Sequence, residues 1–558
     1  MSDKRLLLSG DEAIAQAALD GGVALGTGYP GTPSTEILEH FDVIGGRAQW
    51  APNEKVAFEV ALGAAYGGAR AIVTMKHVGL NVAADPLFTA TYTGVAGALL
   101  VMSADDPGMA SSQNEQDNRN YAKAAGIPML EPSDSQEVYD FTLRGLALSH
   151  EYQMPVMLRI TTRVCHARTI VRRAENLQPA PAAHFTRDVP GRVMIPAYAK
   201  PAHRRLREKL AKLAAWNESC DLNQVVPGGK KLGIIASGIS FMHALEAIQS
   251  SVLSPQSSGK ESHESRVSGC ASTESQATFL KLGMTWPLPL DKIKKFAASV
   301  ERCLVIEEGD PFLVDELRAA GVAVEGKAAM YRFGELNVNR VRRILAGDTS
   351  PEAVPARGKP PQLCVGCPHR NVFETLRELG CIVAGDIGCY TLGVLPPFEA
   401  MDSCVCMGAS IGVGLGLRQV LPAEQARKVV SVIGDSTFVH SGITGLVEMV
   451  YNPPPSGHVV LILDNGTTAM TGLQEHPGTG RRLNHEPTNK LNFEELARAL
   501  GIENVTVTDP LQDQEGFRKL LVAALANGGL NLIITRRPCL LAFKKIKAYE
   551  AATPSGKE

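Results

Sequence analysis

The chain has 558 residues, and its 56 basic and 58 acidic side chains leave a formal net charge of −2 at pH 7. This balance gives no reason to expect a nucleic-acid or membrane-surface partner. The longest apolar stretches, such as residues 94–102, are strand-length and far too short to cross a bilayer. No secretory signal follows Met1, and without one the 11 cysteines favour free thiols, catalysis or metal binding over disulfides. We therefore expect a cytoplasmic protein of about two to four domains.

Strand-like and helix-like segments alternate through residues 1–180, which predicts an α/β domain with a doubly wound parallel sheet. After a linker at 179–192, a second α/β block covers residues 193–346. Residues 250–275 interrupt that block, and 10 of these 26 residues are serine. Because such a composition buries no core, we expect a surface loop there. A proline-rich linker then leads into a third α/β block at residues 362–545, and the tail after Tyr549 is expected to fray.

Two polar side chains follow neighbouring strands of the third block. Strand residues 429–433 lead into Gly434-Asp435-Ser436, and strand residues 459–463 lead into Asn465 and Thr467. A βαβ unit brings such strand ends to one edge of a parallel sheet, where ligands usually bind. Carboxylate, amide and carbonyl oxygens suit Mg²⁺ that holds a diphosphate. The arrangement resembles the metal-diphosphate motif of thiamine-diphosphate enzymes.

Several longer stretches carry a more specific resemblance. Residues 28–34, Glu54 and residues 74–80 resemble the 2-oxoacid:ferredoxin oxidoreductases. Within that superfamily, further stretches resemble the alpha subunit of indolepyruvate ferredoxin oxidoreductase, and they agree in sequence order across about residues 5–545. They are residues 81–86, 104–108, 111–117, 386–393 and 463–472. The resemblance implies thiamine-diphosphate-binding domains at 1–180 (pyrimidine) and 362–545 (diphosphate), with the cofactor across their interface. Residues 193–346 resemble the transketolase C-terminal-like domain.

The resemblance also assigns cofactor residues. It places the acid that protonates the aminopyrimidine at Glu54, and the magnesium ligands at Asp435, Asn465 and the carbonyl of Thr467. Further cofactor contacts are implied at Gly434, Ser436 and Asp386. An alternative for Glu54, from the residues alone, is a first-turn glutamate favoured by the helix dipole.

Four cysteines of the third block match the superfamily's cluster ligands, which implies one 4Fe-4S cluster. They are Cys364 and Cys367 in a CxxC, Cys389, and Cys539. The alternative is a CxxC turn with small buried thiols. Cys404 and Cys406 alternate as core residues of a strand would. No cysteine follows Cys539, whereas the family's alpha subunit commonly ends in a ferredoxin-like module. We therefore expect electrons to leave through a partner subunit or to another acceptor.

The substrate contacts are less well defined. Thr32 resembles a superfamily position where a hydroxyl meets the 2-oxoacid, but it also suits a turn before Pro33. His77 follows a predicted strand and is placed to donate to a developing alkoxide, unless it is a structural histidine. Arg119 or Lys123 is a candidate partner for the substrate carboxylate, with a solvated helix face as the alternative. His440 and His476 are further candidates for the pocket.

The resemblance implies a catalytic subunit that oxidatively decarboxylates aryl 2-oxoacids such as indolepyruvate or phenylpyruvate. Coenzyme A would be the co-substrate, a smaller beta subunit the partner, and ferredoxin or another protein the electron acceptor. The alternative enzyme is a non-oxidative thiamine-diphosphate-dependent decarboxylase or carboligase, which uses Glu54, Asp435 and Asn465 but no cluster. A third hypothesis is a non-catalytic subunit that only binds a partner, which leaves the carboxylate and metal-binding pattern unexplained.

Overall fold

A computed structural model describes residues 5–175, 182–252, 277–353 and 358–552. The chain divides into two compact units: Met1–Gln49 with Glu54–Ala353, and Trp50–Asn53 with Val354–Glu558. Most of the predicted serine-rich loop, part of each predicted linker and the end of the tail lie outside the described residues. Among the helices described, none combines the length and the apolar character needed to cross a membrane.

The first unit contains two main sheets. In the larger one the central strands are parallel, as predicted, and the four-stranded sheet is parallel except at one edge. The strands of the first unit are β1 (Arg5–Leu8), β2 (Leu25–Gly28), β3 (Ala48–Trp50), β4 (Arg70–Lys76), β5 (Ala98–Asp105), β6 (Met129–Leu130), β7 (Val156–Thr161), β8 (Thr169–Arg172), β9 (Gln224–Val226), β10 (Leu232–Ser237), β11 (Thr278–Leu282), β12 (Met284–Trp286) and β13 (Arg302–Ile306). The strand orders are β12-β6-β7-β5-β4-β2-β3, β13-β10-β11-β9, and an antiparallel pair β1-β8.

The strands of these sheets carry apolar side chains on both faces, so helices pack on both faces and bury them. The helices of the first unit are α1 (Gly10–Asp20), α2 (Thr35–Val43), α3 (Glu54–Tyr66), α4 (His77–Val82), α5 (Ala84–Thr93), α6 (Asn118–Ala125), α7 (Ser135–Tyr152), α8 (Thr162–His166), α9 (Val189–Arg192), α10 (Pro196–Asn217), α11 (Gly238–Val252), α12 (Leu290–Ala298), α13 (Phe312–Ala319) and α14 (Val338–Leu345).

The second unit is built on a six-stranded parallel sheet with the order β15-β14-β16-β17-β19-β18. Val459 and Leu461 of one strand face one apolar core, whereas Val460 and Ile462 face the other. Both faces of the sheet are therefore buried, as expected for a doubly wound fold. The elements are α15 (His369–Glu378), β14 (Ile382–Gly385), β15 (Ser403–Cys404), α16 (Ala409–Val420), α17 (Ala423–Ala426), β16 (Val429–Gly434), α18 (Asp435–Thr437), α19 (Ile443–Tyr451), β17 (His458–Asp464), α20 (Phe493–Ala499), β18 (Asn504–Thr508), α21 (Gln514–Ala526), β19 (Leu530–Arg536) and α22 (Phe543–Ala552).

The predicted α/β class with doubly wound parallel sheets is confirmed. The predicted blocks 1–180, 193–346 and 362–545 each contain one of the larger sheets, with one exception. Strand β12 lies in the second block but pairs antiparallel with β6 of the first block's sheet. The exact domain limits stay a prediction.

A buried ion-pair network also joins the first two blocks. Arg119 is almost fully buried, and its Nη1 donates to Glu307 Oε2 at 2.6 Å while its Nη2 donates to Asp117 Oδ2 at 2.5 Å. Nearby, the buried Arg159 donates to Asp105 at 2.7 Å. Arg119 is therefore neither a partner for the substrate carboxylate nor part of a solvated helix face, because its guanidinium group pairs with carboxylates of its own unit. Lys123 does lie on an exposed helix face, where it pairs with Glu316.

We expect Arg119→Met to lower the free energy of unfolding of the first unit by about 3–5 kcal/mol, since it removes the arginine partner of the buried Glu307. Lys123→Met is the matched control, one helical turn away, and should cost less than about 1 kcal/mol because its ion pair is exposed. Thermal unfolding followed by circular dichroism measures both. Equal losses in the two variants would show that the network does not stabilise the fold.

Candidate functional site

The predicted metal-diphosphate residues meet at the carboxyl ends of β16 and β17, which are adjacent and parallel. Asp435 is buried, with Oδ1 accepting from the Ser436 N–H at 2.9 Å and Oδ2 accepting from the Gly466 N–H at 2.8 Å. Gly466 has φ +73°, a conformation that favours glycine and turns its N–H toward the carboxylate. The loop after β17 is thus fastened to the end of β16.

Two histidines complete this sheet edge. His476 Nε2 lies 3.3 Å from Asp435 Oδ2, and His369 Nε2 lies 3.3 Å from the side-chain nitrogen of Asn465. Burial alone would raise the pKa of the Asp435 carboxyl, but His476 and the backbone N–H groups bring it below its usual value. Burial also lowers the pKa of His369 to about 4, so this imidazole is neutral. Asp435 is therefore a carboxylate, available to a cation.

The residues present fit a magnesium ion. Asp435, Asn465 and Thr467 are all buried, and they supply carboxylate, amide and backbone oxygens. Asn465 Oδ1 accepts from the Thr467 N–H at 3.1 Å, which holds these two residues in one tight turn. His476 Nε2 is buried and has no well-directed hydrogen bond from any residue that the structure describes, which leaves room for a further polar partner.

Gly434 and Ser436 flank Asp435 as predicted. A Cβ on Gly434 would lie 2.6 Å from the Tyr390 ring, so this ring packs directly on the strand end. Ser436 Oγ accepts from the Thr468 hydroxyl at 2.8 Å. Asp386 lies on the neighbouring loop, where its carboxylate accepts from the Gly408 and Ser410 N–H groups at the start of α16, both at 2.9 Å. In this structure Asp386 therefore binds a helix N-terminus.

The four predicted cluster cysteines come together from three parts of the second unit. Burial and the neighbouring thiols raise the pKa of the Cys367 thiol to about 11, and the same causes raise that of Cys389 to about 11. Gly366 of the CxxC has φ +78°, and a Cβ there would lie 3.4 Å from Cδ1 of Leu540, so the CxxC turn packs against the side chain of the residue that follows Cys539. The interacting thiols are those of Cys364, Cys367, Cys389 and Cys539. A plain CxxC turn does not account for the effect of Cys389 and Cys539 on Cys367, whereas thiolates drawn from separate segments are what a 4Fe-4S cluster uses.

Cys404 and Cys406 contradict the prediction that they are core residues, because both are exposed. Cys404 ends β15, which is the edge strand of the sheet. Alternate residues of a strand are buried only where a helix or another sheet packs on that face. Strand β15 is short and lies at the edge of the sheet, so little packs against it.

In the first unit, Glu54 is the first residue of α3, and only 6% of it is exposed. Its carboxyl group lies against Gly79 of α4, where an added Cβ would stand 2.6 Å from Glu54 Oε1. A glutamate that only interacts with the helix dipole does not need to be buried or to pack against a glycine. The tight packing of Glu54 therefore favours the cofactor role over this alternative.

This packing predicts the effect of Gly79→Ala. The new methyl group must displace the carboxyl of Glu54, which is the predicted cofactor acid, and we expect kcat to fall by about 10²-fold, since a shift of about 1 Å in a catalytic group has that effect. Gly63→Ala is the matched control, because a Cβ at Gly63, on the same helix as Glu54, meets nothing within 4 Å. Steady-state turnover of both variants checks this. An unchanged kcat in Gly79→Ala would show that the position of Glu54 does not matter.

The strand end before α4 carries Lys76 and His77. Lys76 Nζ donates to the Ser111 carbonyl at 2.7 Å, and burial lowers its pKa. Burial also lowers the pKa of His77, whose Nε2 lies 3.1 Å from the Asn114 carbonyl. A carbonyl only accepts, so Nε2 carries the proton, and the buried Nδ1 has no hydrogen-bond partner among the described residues. Gly31 packs on Lys76, which brings the Thr32 loop to this strand end.

Gly79, His369 and Tyr390 were not predicted as site residues. His369 follows Cys367 by two positions, and its closeness to the cysteine motif is the signal that points to it. Gly79 stands in the stretch 74–80 but contacts Glu54 across 25 residues, a pairing that no local pattern reveals. His440 is buried in a π-helical turn, Phe438–Gly442, and its Nδ1 lies 2.7 Å from the Ser441 hydroxyl.

Comparisons with known proteins identify the families to which the two units are similar. Residues 16–207 match the family described as pyruvate flavodoxin/ferredoxin oxidoreductase, thiamine diP-binding. Residues 386–535 match the thiamine pyrophosphate enzyme C-terminal TPP binding domain. Both matched segments contain residues of the candidate site.

Similarity to characterised sequences extends over nearly the whole chain. The chain is 37% identical to indolepyruvate oxidoreductase subunit IorA of Methanothermobacter thermautotrophicus, over 99% of this chain and 90% of that protein. It is 38% identical to the Archaeoglobus fulgidus subunit of the same name, over 98% of this chain and 88% of that protein. A solved 2-oxoglutarate:ferredoxin oxidoreductase from Magnetococcus marinus aligns with a TM-score of 0.49 and 17% identity, over 62% of this chain and 65% of that one.

Proposed function

Because this chain belongs to the indolepyruvate oxidoreductase IorA family of thiamine-diphosphate-dependent 2-oxoacid oxidoreductases, we propose that it oxidatively decarboxylates aryl 2-oxoacids. The reaction converts an aryl 2-oxoacid and coenzyme A into an arylacetyl-CoA, carbon dioxide, one proton and two electrons. Indolepyruvate and phenylpyruvate are the proposed substrates, and the names of the relatives support this choice.

Each half of the cofactor has its own proposed residues. Asp435, Asn465 and the carbonyl of Thr467 hold the Mg²⁺ of the diphosphate, with Gly434 and Ser436 close by and Asp386 fixing the adjacent helix. Glu54 holds the proton that the aminopyrimidine requires. Thiamine diphosphate, when bound, accepts the electron pair that departing carbon dioxide releases.

Electron transfer is proposed to run through one 4Fe-4S cluster on Cys364, Cys367, Cys389 and Cys539. A single contact supports this route most strongly: the Cys539 N–H donates to the Asn465 carbonyl at 2.9 Å. The peptide of a proposed cluster ligand is thus hydrogen-bonded to that of a proposed metal ligand. The loops that would carry the cluster and the diphosphate are therefore held together through the backbone. A non-oxidative decarboxylase transfers no electrons to an acceptor and therefore does not need a cluster beside the cofactor site.

The substrate side involves Thr32 and His77. We propose that the Thr32 hydroxyl contacts the 2-oxoacid. A neutral His77 with its proton on Nε2 presents Nδ1 as an acceptor, so we propose that it takes up a proton before it can donate one to an alkoxide. A smaller beta subunit is the proposed partner, and ferredoxin or another redox protein is the proposed acceptor.

Anaerobic co-purification with the genomically neighbouring subunit tests this function. Coenzyme A-dependent reduction of a dye would be measured with indolepyruvate, phenylpyruvate and pyruvate in turn. We expect reduction with the two aryl substrates and much less with pyruvate. Release of free aldehyde without dye reduction would instead identify a non-oxidative decarboxylase. A preference for pyruvate would overturn the substrate assignment alone.

A further inference from the structure

Three metal-ligating side chains converge in the first unit at a place that the proposed function does not use. They are Asp11 in the first turn of α1, Glu36 in the first turn of α2, and His166 at the end of α8. One ligand atom from each lies within 4.8 Å of the other two. Two carboxylates and an imidazole are a ligand set for a divalent transition ion.

The backbone fixes these segments against one another. A Cβ on Gly10 would lie 2.2 Å from the Val164 carbonyl oxygen, so only glycine allows α1 to start this close to α8. The antiparallel pair β1-β8 flanks the same place, since β1 precedes α1 and β8 follows α8. Asp11 and His166 are therefore neighbours because of the fold, and the approach does not depend on flexible side chains alone.

Asp11 is a buried carboxyl group that has a hydrogen bond from the Cys165 thiol but has one oxygen left unsatisfied by the part of the chain that the structure describes. Only 2% of the residue is exposed, and its Oδ1 has no hydrogen-bond partner among the described residues. Burial, and then the nearby Glu36 carboxylate, raise the pKa of Asp11 well above its usual value. A buried carboxylate beside a second one requires either a proton or a cation. A carboxylate oxygen of Asp11 lies within 4.8 Å of the ligand atoms of Glu36 and His166, so one cation could serve all three.

We infer that Asp11, Glu36 and His166 bind one divalent transition ion of the Zn²⁺ type, with water completing its coordination. Ligand atoms around zinc stand about 3.4 Å apart, given metal–ligand distances of about 2.1 Å. Glu36 and His166 are exposed, so their side chains are able to close this gap by rotation. The ion would tie α2, which directly follows the Thr32 loop, to α1 and α8. This inference is independent of the proposed function.

Zinc binding to the full chain tests the inference. Anaerobically purified protein with its cluster in place would be dialysed against EDTA and then against a zinc buffer, and its metals counted by mass spectrometry. Glu36→Gln and His166→Gln each remove one ligand at an exposed position, so folding should persist. Glu151→Gln, an exposed carboxylate at the end of α7, is the matched control.

We expect the unsubstituted chain and Glu151→Gln to hold one zinc per chain more than the two ligand variants, with iron and thiamine contents equal in all four. Zinc should also raise the melting temperature of the unsubstituted chain and of Glu151→Gln more than that of the two ligand variants, because an ion that binds only the folded state stabilises it. Equal zinc in all four proteins would overturn the site and would mean that Asp11 is instead kept neutral by a proton.

Discussion

Glu54→Gln is expected to lower the rate of 2-oxoacid oxidation by at least about 100-fold, because the glutamine amide has no acidic proton that it can transfer to the aminopyrimidine. The substitution keeps the size of the side chain and its packing on Gly79. Thiamine and iron contents should therefore stay as they are. Coenzyme A-dependent dye reduction by the complex measures the loss.

Glu59→Gln is the control for this variant. Glu59 lies on the same helix, is 43% exposed at its side chain and pairs with Lys55 at the surface. Its substitution should change the rate by less than about twofold, since exposed ion pairs contribute little. If Glu54→Gln kept its full activity, the acid would be elsewhere, and Glu54 would be the first-turn glutamate that the helix dipole favours.

Cys539→Ser is expected to remove most of the iron from the anaerobically purified protein and to abolish dye reduction, since serine is a poor ligand for a 4Fe-4S cluster. The loss should exceed about 100-fold, because the electrons then have no route out. Iron analysis, visible spectroscopy and the dye assay measure it. Cys406→Ser is the matched control: this exposed thiol lies outside the proposed ligand set, and its loss should leave the iron unchanged.

A second measurement separates loss of the cluster from loss of the fold. Thiamine should still bind to Cys539→Ser, because the proposed cofactor contacts of Asn465 use its side chain, whereas Cys539 meets its backbone carbonyl. Full iron content in Cys539→Ser would remove this residue from the ligand set. Equal iron loss in both variants would leave the choice of ligands without support.

The elements that position the site follow closely from the sequence. Asp435 and Asn465 each stand after an unbroken apolar strand, and such strands are neighbours in a parallel sheet. The predicted strand before His77 is likewise confirmed, as β4. Periodicity and turn residues are local signals, so they identify elements and the residues at their ends.

The errors concern contacts between distant residues. Arg119 looks like part of a solvated helix face, but its partner Glu307 lies 188 positions away, and no local pattern shows it. Cys404 alternates like a core residue, yet the order of strands, which the sequence does not reveal, places it at an edge. The contact between Gly79 and Glu54 depends in the same way on how α3 and α4 pack.

The central claim is that one chain couples 2-oxoacid decarboxylation to an iron-sulfur cluster, and the visible absorption of the complex under anaerobic conditions tests it most directly. Indolepyruvate and coenzyme A, added without any dye, should bleach the cluster absorption in the unsubstituted complex. The Glu54→Gln complex should bleach only with dithionite. An unchanged spectrum in the unsubstituted complex, with carbon dioxide and free aldehyde released, would contradict the claim.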